Sequence, residues 1–389
     1  MDKMNKILSG IKQNNFLNMA IELGINPQEV KEVVIETLSP YFEDREILVN
    51  YSINLLIPQF LNIIKLKKDT LLLETFEKCL DIYRKAKNKD QLKCFELMAF
   101  WLNDIEECIS RFWTIYSLEQ DKSILQNEEM VFECFRNIGD IIEGLSKPFL
   151  KSLLSQKKLI DENHVNLSQL NHYDLGKIVD ELIKHTNCQQ LFMPLPWSIR
   201  LSHWRNIAYH HNYKLKEKNI ICWYGKGIKK NKFTIHKNEI LMINRKVSDC
   251  FIVLKLAYDI FFIDNTNNIE KFLLNGKLNI RFEALFIIIA AGIASQGFEI
   301  LDFEKNSENA KIIVKDMTNL DPLERSVHAS QFLYSLWLVT KSENMRVEYW
   351  ERDGNPKYSF ETRSDICELI YNGDKDFCEL ANKMKIINL

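Results

Sequence analysis

Pro194 to His236 reads PLPWSIRLSHWRNIAYHHNYKLKEKNIICWYGKGIKKNKFTIH, and a change of period inside this stretch decides what kind of fold carries it. Prolines suit the start of a helix, where the missing N–H would be unpaired anyway, and are excluded from its interior, where the ring clashes with the preceding turn. A short helix through Trp204 to His210 is therefore expected after Pro194-Leu195-Pro196-Trp197. Asn219 to Tyr224 and Lys232 to His236 then alternate like strands, joined as a hairpin by Gly225-Lys226-Gly227-Ile228-Lys229-Lys230-Asn231. A long apolar helix from about Glu239 to Phe262 closes the segment. Two helices precede it: Met130 to Leu145, with Ser146-Lys147-Pro148 as a kink or restart toward Leu154, and Leu175 to His185. Residues 127–265 thus form a helical bundle with an inserted, basic β-hairpin.

The flanks belong to other classes. Residues 1–126 carry apolar positions at spacings of three and four, beginning with Leu8, Ile11, Phe16 and Met19 and resuming with Val30, Val33, Val34 and Leu38 after Asn26-Pro27. No fixed period repeats, so an irregular helical scaffold is expected. Residues 266–389 change class after the break made by the polar run Asp264-Asn265-Thr266-Asn267-Asn268. They continue as helix Arg281 to Gln296, strands Phe298 to Phe303 and Lys311 to Asp316, and helix Pro322 to Thr340. A hairpin of Val347 to Glu351 and Lys357 to Glu361, turning at Asp353-Gly354, and a helix after Ser364 complete an α-β-β-α-β-β-α order. The fold class is mainly α with a small α+β C-terminal domain containing antiparallel sheet pieces.

The chain has 389 residues, 46% hydrophobic and 27% charged, with a net charge of −2. That balance excludes a disordered or fibrous chain and gives no global attraction to nucleic acid. The N-terminus lacks the unbroken apolar segment of a signal peptide. The longest uncharged apolar run, Ala284 to Ala294, is far shorter than the roughly 20 residues a bilayer requires. Nine cysteines are dispersed without a C-x-x-C pair. The expectation is a cytoplasmic protein with reduced thiols and no membrane segment.

Chemistry concentrates at Arg205, Asn206 and His210. A guanidinium binds phosphate oxygens as a fork, and an imidazole titrates near neutrality, so the set can hold a phosphodiester and move a proton. On a regular helix Asn206 and His210 share a face, while Arg205 reaches that face through its long stem. Around them, ten Lys or Arg between Arg200 and Asn238 face one acidic residue, Glu217. Lys214, Lys216, Lys226, Lys229 and Lys230, with Trp223 among them, suit a single-stranded RNA whose backbone follows cations and whose bases stack on rings. The same lysines would also blunt a sheet edge against aggregation.

Tyr173-Asp174-Leu175-Gly176-Lys177, then Pro194, then Leu201 through His210 with Arg205-Asn206 and His210 in the R-x4-6-H spacing, resemble the HEPN superfamily of helical bundles. The resemblance covers roughly residues 127–265. It implies a metal-independent endoribonuclease that needs no cofactor and works as a homodimer, with two motifs facing one another across a composite site. It further implies that Arg205 holds the scissile phosphate, Asn206 orients the site and His210 handles the proton. A ribose 2′-hydroxyl then attacks its own phosphate and leaves a 2′,3′-cyclic phosphate. Family members include toxins and phage-defence effectors, so an antitoxin or sensor protein is an implied partner. The alternative is a non-catalytic module that binds RNA or another protein.

Two departures stand beside the match. His211 offers a competing register, and His211-Asn212-Tyr213 forms an H-x-Y whose tyrosine is a modification target in part of the family. Asp174, Asp180 and Glu181 are the candidate carboxylates from a second helix, with Asp174 and Tyr213 as accessory residues. His185-Thr186-Asn187-Cys188 lacks the further ligands of a zinc site, and Gly225-Lys226-Gly227 lacks the strand-to-helix setting of a phosphate loop. His203 is expected on the bundle surface and His328 as a cap or core partner.

Overall fold

The computed structural model describes residues 19–20, 23–25, 27–52, 55–118, 127–162, 165–225, 230–272 and 282–389. The expected helix positions Leu8, Ile11 and Phe16, and the hairpin lysines Lys226 and Lys229, lie outside these residues. The chain is mainly α with a small α+β part. It divides into two compact units, one of residues 40–44 and 59–279, the other of residues 1–39, 45–58 and 280–389. In chain order the second of these contributes α1 (Pro27–Leu38) and α2 (Arg45–Tyr51). The boundary expected at residue 126 falls inside the larger unit, where helices on both sides of it share one core.

That larger unit is built on α4 (Thr70–Lys89), α5 (Gln91–Leu118), α7 (Lys147–Asp161) and α12 (Glu239–Asp264), with α3 (Ile57–Leu66) leading into them. Asp69 starts α4 by accepting the Leu72 N–H at 3.3 Å, one of the donors a helix start leaves unpaired. Where α4 meets α12, Tyr83 stacks on Phe261 at 5.3 Å and Phe149 of α7 meets Tyr258 edge-on at 5.4 Å. α7 is buried along most of its length, and its polar side chains are used: Ser152 receives the Tyr83 hydroxyl at 3.2 Å and Ser155 the Trp101 indole N–H at 3.2 Å. At the end of α12 the buried Asp264 accepts the backbone N–H groups of Glu43 and Asp44 at about 3 Å.

The expected helix Met130 to Leu145 changes character partway. α6 (Asn127–Gly139) passes into a π-helical turn, Asp140–Ser146, before α7 begins at Lys147 with Pro148 in its first turn. Ser146 Oγ donates to the Ile141 carbonyl at 2.8 Å, and Cys108 Sγ donates to that of Leu145 at 3.0 Å. Short helices α8 (Leu167–Asn171), α9 (Leu175–His185) and α10 (Gln189–Phe192) follow, then α11 (Leu201–Tyr209). The basic hairpin is one part of a three-stranded antiparallel sheet: β1 (Tyr213–Lys216), β2 (Asn219–Tyr224) and β3 (Asn231–His236). α13 (Thr266–Ile269) and a 3-10 turn, Glu270–Phe272, end the described part of this unit.

In the other unit α14 (Phe282–Ser295) precedes β4 (Phe298–Lys305) and β5 (Asn309–Asp316). The expected helix Pro322 to Thr340 is two helices, α15 (Pro322–Ser330) and α16 (Phe332–Thr340), divided at Gln331. Then come β6 (Asn344–Trp350), β7 (Pro356–Arg363), α17 (Ser364–Tyr371), α18 (Cys378–Lys383) and a short β8 (Lys385–Asn388). The expected antiparallel pieces join into one five-stranded sheet in chain order, because β5 and β6 pair in parallel through the α15–α16 crossover. Its core face, Phe298, Ile300, Ile312, Val314, Val347 and Phe360 among others, packs with Phe286, Leu333 and Trp337. Among the described residues no helix is long and apolar enough to cross a membrane.

Candidate functional site

α11 is held by its apolar face. Leu201, Trp204, Ile207 and Ala208 are buried, and the fully enclosed Trp204 meets Trp197 edge-on at 6.1 Å and Phe233 edge-on at 5.6 Å. This seats the helix between the chain that precedes it and the three-stranded sheet. His203, Arg205, Asn206 and Tyr209 are left half-buried or exposed. His203 stacks on Tyr224 of β2 at 4.4 Å, and burial, then the Arg200 charge, lowers its pKa.

The helix stops in a way that separates the two histidines. His210 still donates its N–H to the Asn206 carbonyl at 3.2 Å, so it lies one turn above Asn206 on the same side. His211 then takes φ +49°, and Asn212 N–H reaches back to the Ile207 carbonyl at 2.9 Å, the six-to-one bond of a Schellman end. A left-handed residue other than Gly costs about 1–2 kcal/mol. His211 recovers part of that by stacking flat against Phe132 of α6 at 6.0 Å. The His210 side chain is exposed and has no hydrogen-bond or ring partner among the described residues.

Arg205 meets a carboxylate that its own segment gives no hint of. Its Nε lies 3.0 Å from Glu143 Oε2 on the π-helical turn, a charge contact approached off-axis, and its Nη1 donates to Asn206 Oδ1 at 3.0 Å. Glu143 also holds Lys147 at 2.5 Å, and one turn away Tyr209 donates its hydroxyl to Asp140 Oδ1 at 3.1 Å. Burial, followed by the Asp140 charge and hydrogen bond, keeps the Tyr209 phenol protonated. Gly139 permits this closeness, since a Cβ there would stand 2.9 Å from the Tyr209 ring and 3.3 Å from Ala208 Cβ. The wide turn projects Asp140 and Glu143 toward one face of α11, a use to which π-turns are often put.

The candidate accessory residues are engaged elsewhere. Asp174 is the N-cap of α9 and accepts the Lys177 N–H at 2.8 Å; Asp180 pairs with Arg200; Glu181 faces His185 at 3.6 Å and Lys158 at 3.8 Å. Glu143, not Asp174, is the carboxylate at Arg205. Tyr213 stacks on Phe135 at 4.1 Å and is half-buried, with burial raising its pKa. His185 lies 3.4 Å from Asp161 while Cys188 is buried beside Cys79. Among the described residues no three His, Cys, Asp or Glu could hold a metal ion.

The sheet sorts the basic residues. Its register places Lys214, Lys216, Trp223 and Lys232 on one face and the buried Ile220, Cys222 and Ile235 on the other. β1, which the expected two-stranded hairpin omitted, carries Lys214 and Lys216, both exposed. Lys230 Nζ sits 4.8 Å above the Trp223 ring, so a base stacking there would displace the cation. No family model, curated protein or solved structure matches this chain at a significant level.

Proposed function

We propose that the chain is a metal-independent endoribonuclease of the HEPN type. The observation that carries the reading is two unlike groups five residues apart at the end of α11: a half-buried Arg205 held by Asn206 and Glu143, and at the helix cap an exposed His210 side chain without a partner among the described residues. In this reading Arg205 binds the scissile phosphate through its outer guanidinium edge. His210 takes or gives the proton, and the RNA strand follows Lys214, Lys216 and Lys232 past Trp223. One imidazole serves poorly as base and acid in the same step, so a second copy of the chain supplies the other; the homodimer follows from that chemistry and from the resemblance. A cytoplasmic toxin or phage-defence role, held in check by an antitoxin or sensor protein, follows from the resemblance alone.

One observation favours a second reading. Glu143 already offsets the Arg205 charge, which suits a non-catalytic RNA- or protein-binding module as well as an enzyme. The two diverge in their products. Incubation of the full chain with a synthetic RNA in EDTA, followed by mass spectrometry of the ends, yields 2′,3′-cyclic phosphates if it is a nuclease. RNA that is bound but left intact by wild type assigns it to the binding class.

A further inference from the structure

In the α+β unit, the end of the sheet where β5 and β6 begin, β7 ends and β8 starts borders a cavity of about 740 Å³, a size typical of small-ligand sites. Five cations line it: Lys311, Arg346, Arg363, Lys383 and Lys385. Three are committed to the sheet. Lys311 lies 3.1 Å from the buried Glu348, Arg346 lies 2.9 Å from Glu348 and 3.4 Å from Glu361, and Lys385 lies 3.8 Å from Glu361. Arg363 and Lys383 have no ion-pair partner among the described residues. Arg346 also keeps a buried Nε without a hydrogen bond, so the cluster holds more donors than its own carboxylates satisfy.

We propose that this cavity binds a phosphorylated small molecule of nucleotide size, with Arg363 and Lys383 on its phosphoryl oxygens. Two lining carboxylates, Glu304 and Asp365, likewise lack an ion pair among the described residues and accept from the ligand's hydroxyl or amino groups. Their charge argues against a continuous RNA strand, which they would repel, and for a compact ligand presenting negative charge at one end and donors at the other. At Ala310 and Met345 the cavity meets the sheet, whose side chains there are buried in the core on its other face, and Ile366 borders it from α17. The site is independent of Arg205 and of the nuclease reading.

Isothermal titration of the full chain with ATP, with inorganic pyrophosphate and with an oligouridylate tests the proposal. Saturable binding of ATP and pyrophosphate is expected, weakened at least about tenfold in Arg363→Ala/Lys383→Ala and to a smaller extent in Lys383→Gln. Both residues are exposed, so unfolding midpoints without ligand are expected to match wild type. Absence of saturable binding, binding unchanged in the double variant, or oligouridylate binding that the double variant abolishes while ATP does not bind, each overturns it.

Discussion

Two arginines in this molecule stand near a carboxylate, a histidine and a tyrosine, yet they live in opposite surroundings. Arg325 of α15 is buried: its Nε meets both Asp316 oxygens at 3.2 Å, its Nη2 donates to the Gln296 carbonyl at 2.8 Å, and its Nη1 faces His328 Nδ1 at 3.2 Å. Phe298 lies 3.8 Å beneath the guanidinium, and Asp316 is further bound by Thr318 and Tyr349. Arg205 is half-exposed, touches Glu143 off-axis and Asn206 from one nitrogen, and its neighbouring His210 is bare. Residue type is shared; saturation is not. A closed network ties elements together, whereas Arg205 keeps guanidinium donors that no described group takes up.

The sharpest way to break this contrast is to truncate both. Arg325→Ala leaves Asp316 buried without its cation and is expected to cost about 3–5 kcal/mol in denaturant unfolding of the α+β unit. Arg205→Ala is expected to cost no more than about 1 kcal/mol by the same measurement while lowering RNA cleavage by about 10²–10³. If the two variants destabilise equally, Arg205 is a structural tie and the distinction fails.

A smaller effect probes the turn that delivers Glu143. Gly139→Ala inserts a methyl against the Tyr209 ring, with an expected loss of about 1–3 kcal/mol and reduced cleavage, since α11 shifts from the π-turn. Unchanged stability and activity would mean that the spacing between these elements is not constrained. Smallest is a pH effect. Burial lowers the pKa of both His203 and His328 below 6.5, so in acid the unfolded state binds more protons and stability falls as pH drops through 6.5. His203→Gln is expected to flatten the dependence of unfolding free energy on pH between 6.5 and 5; an unaltered slope would remove His203 from the account.

The sequence spelled out what depends on neighbours in the chain. Prolines ahead of Trp204, the helical stretch Leu175 to His185 and the length of α12 are local signals, and each element appears within a few residues of its expected place. What stayed hidden is tertiary. Glu143 lies 62 residues before Arg205, and only the π-turn, whose sequence gave no more than a kink at Ser146-Lys147-Pro148, brings the two together. β1 is four residues long, with two apolar side chains among lysines, too brief for alternation to stand out. Helix end geometry, with His211 in a conformation Gly favours, could not be read from residues that suit a continuing helix. The parallel pairing of β5 with β6 is likewise set by the crossover and not by either strand.

The most direct test compares single-turnover cleavage of a labelled RNA by wild type and His210→Ala, with unfolding midpoints measured on the same preparations. An exposed imidazole that transfers the proton predicts a fall of about 10²–10⁴ in rate with the midpoint unmoved. Cleavage that persists undiminished in His210→Ala, or wild-type protein that binds the RNA and leaves it whole, contradicts the account.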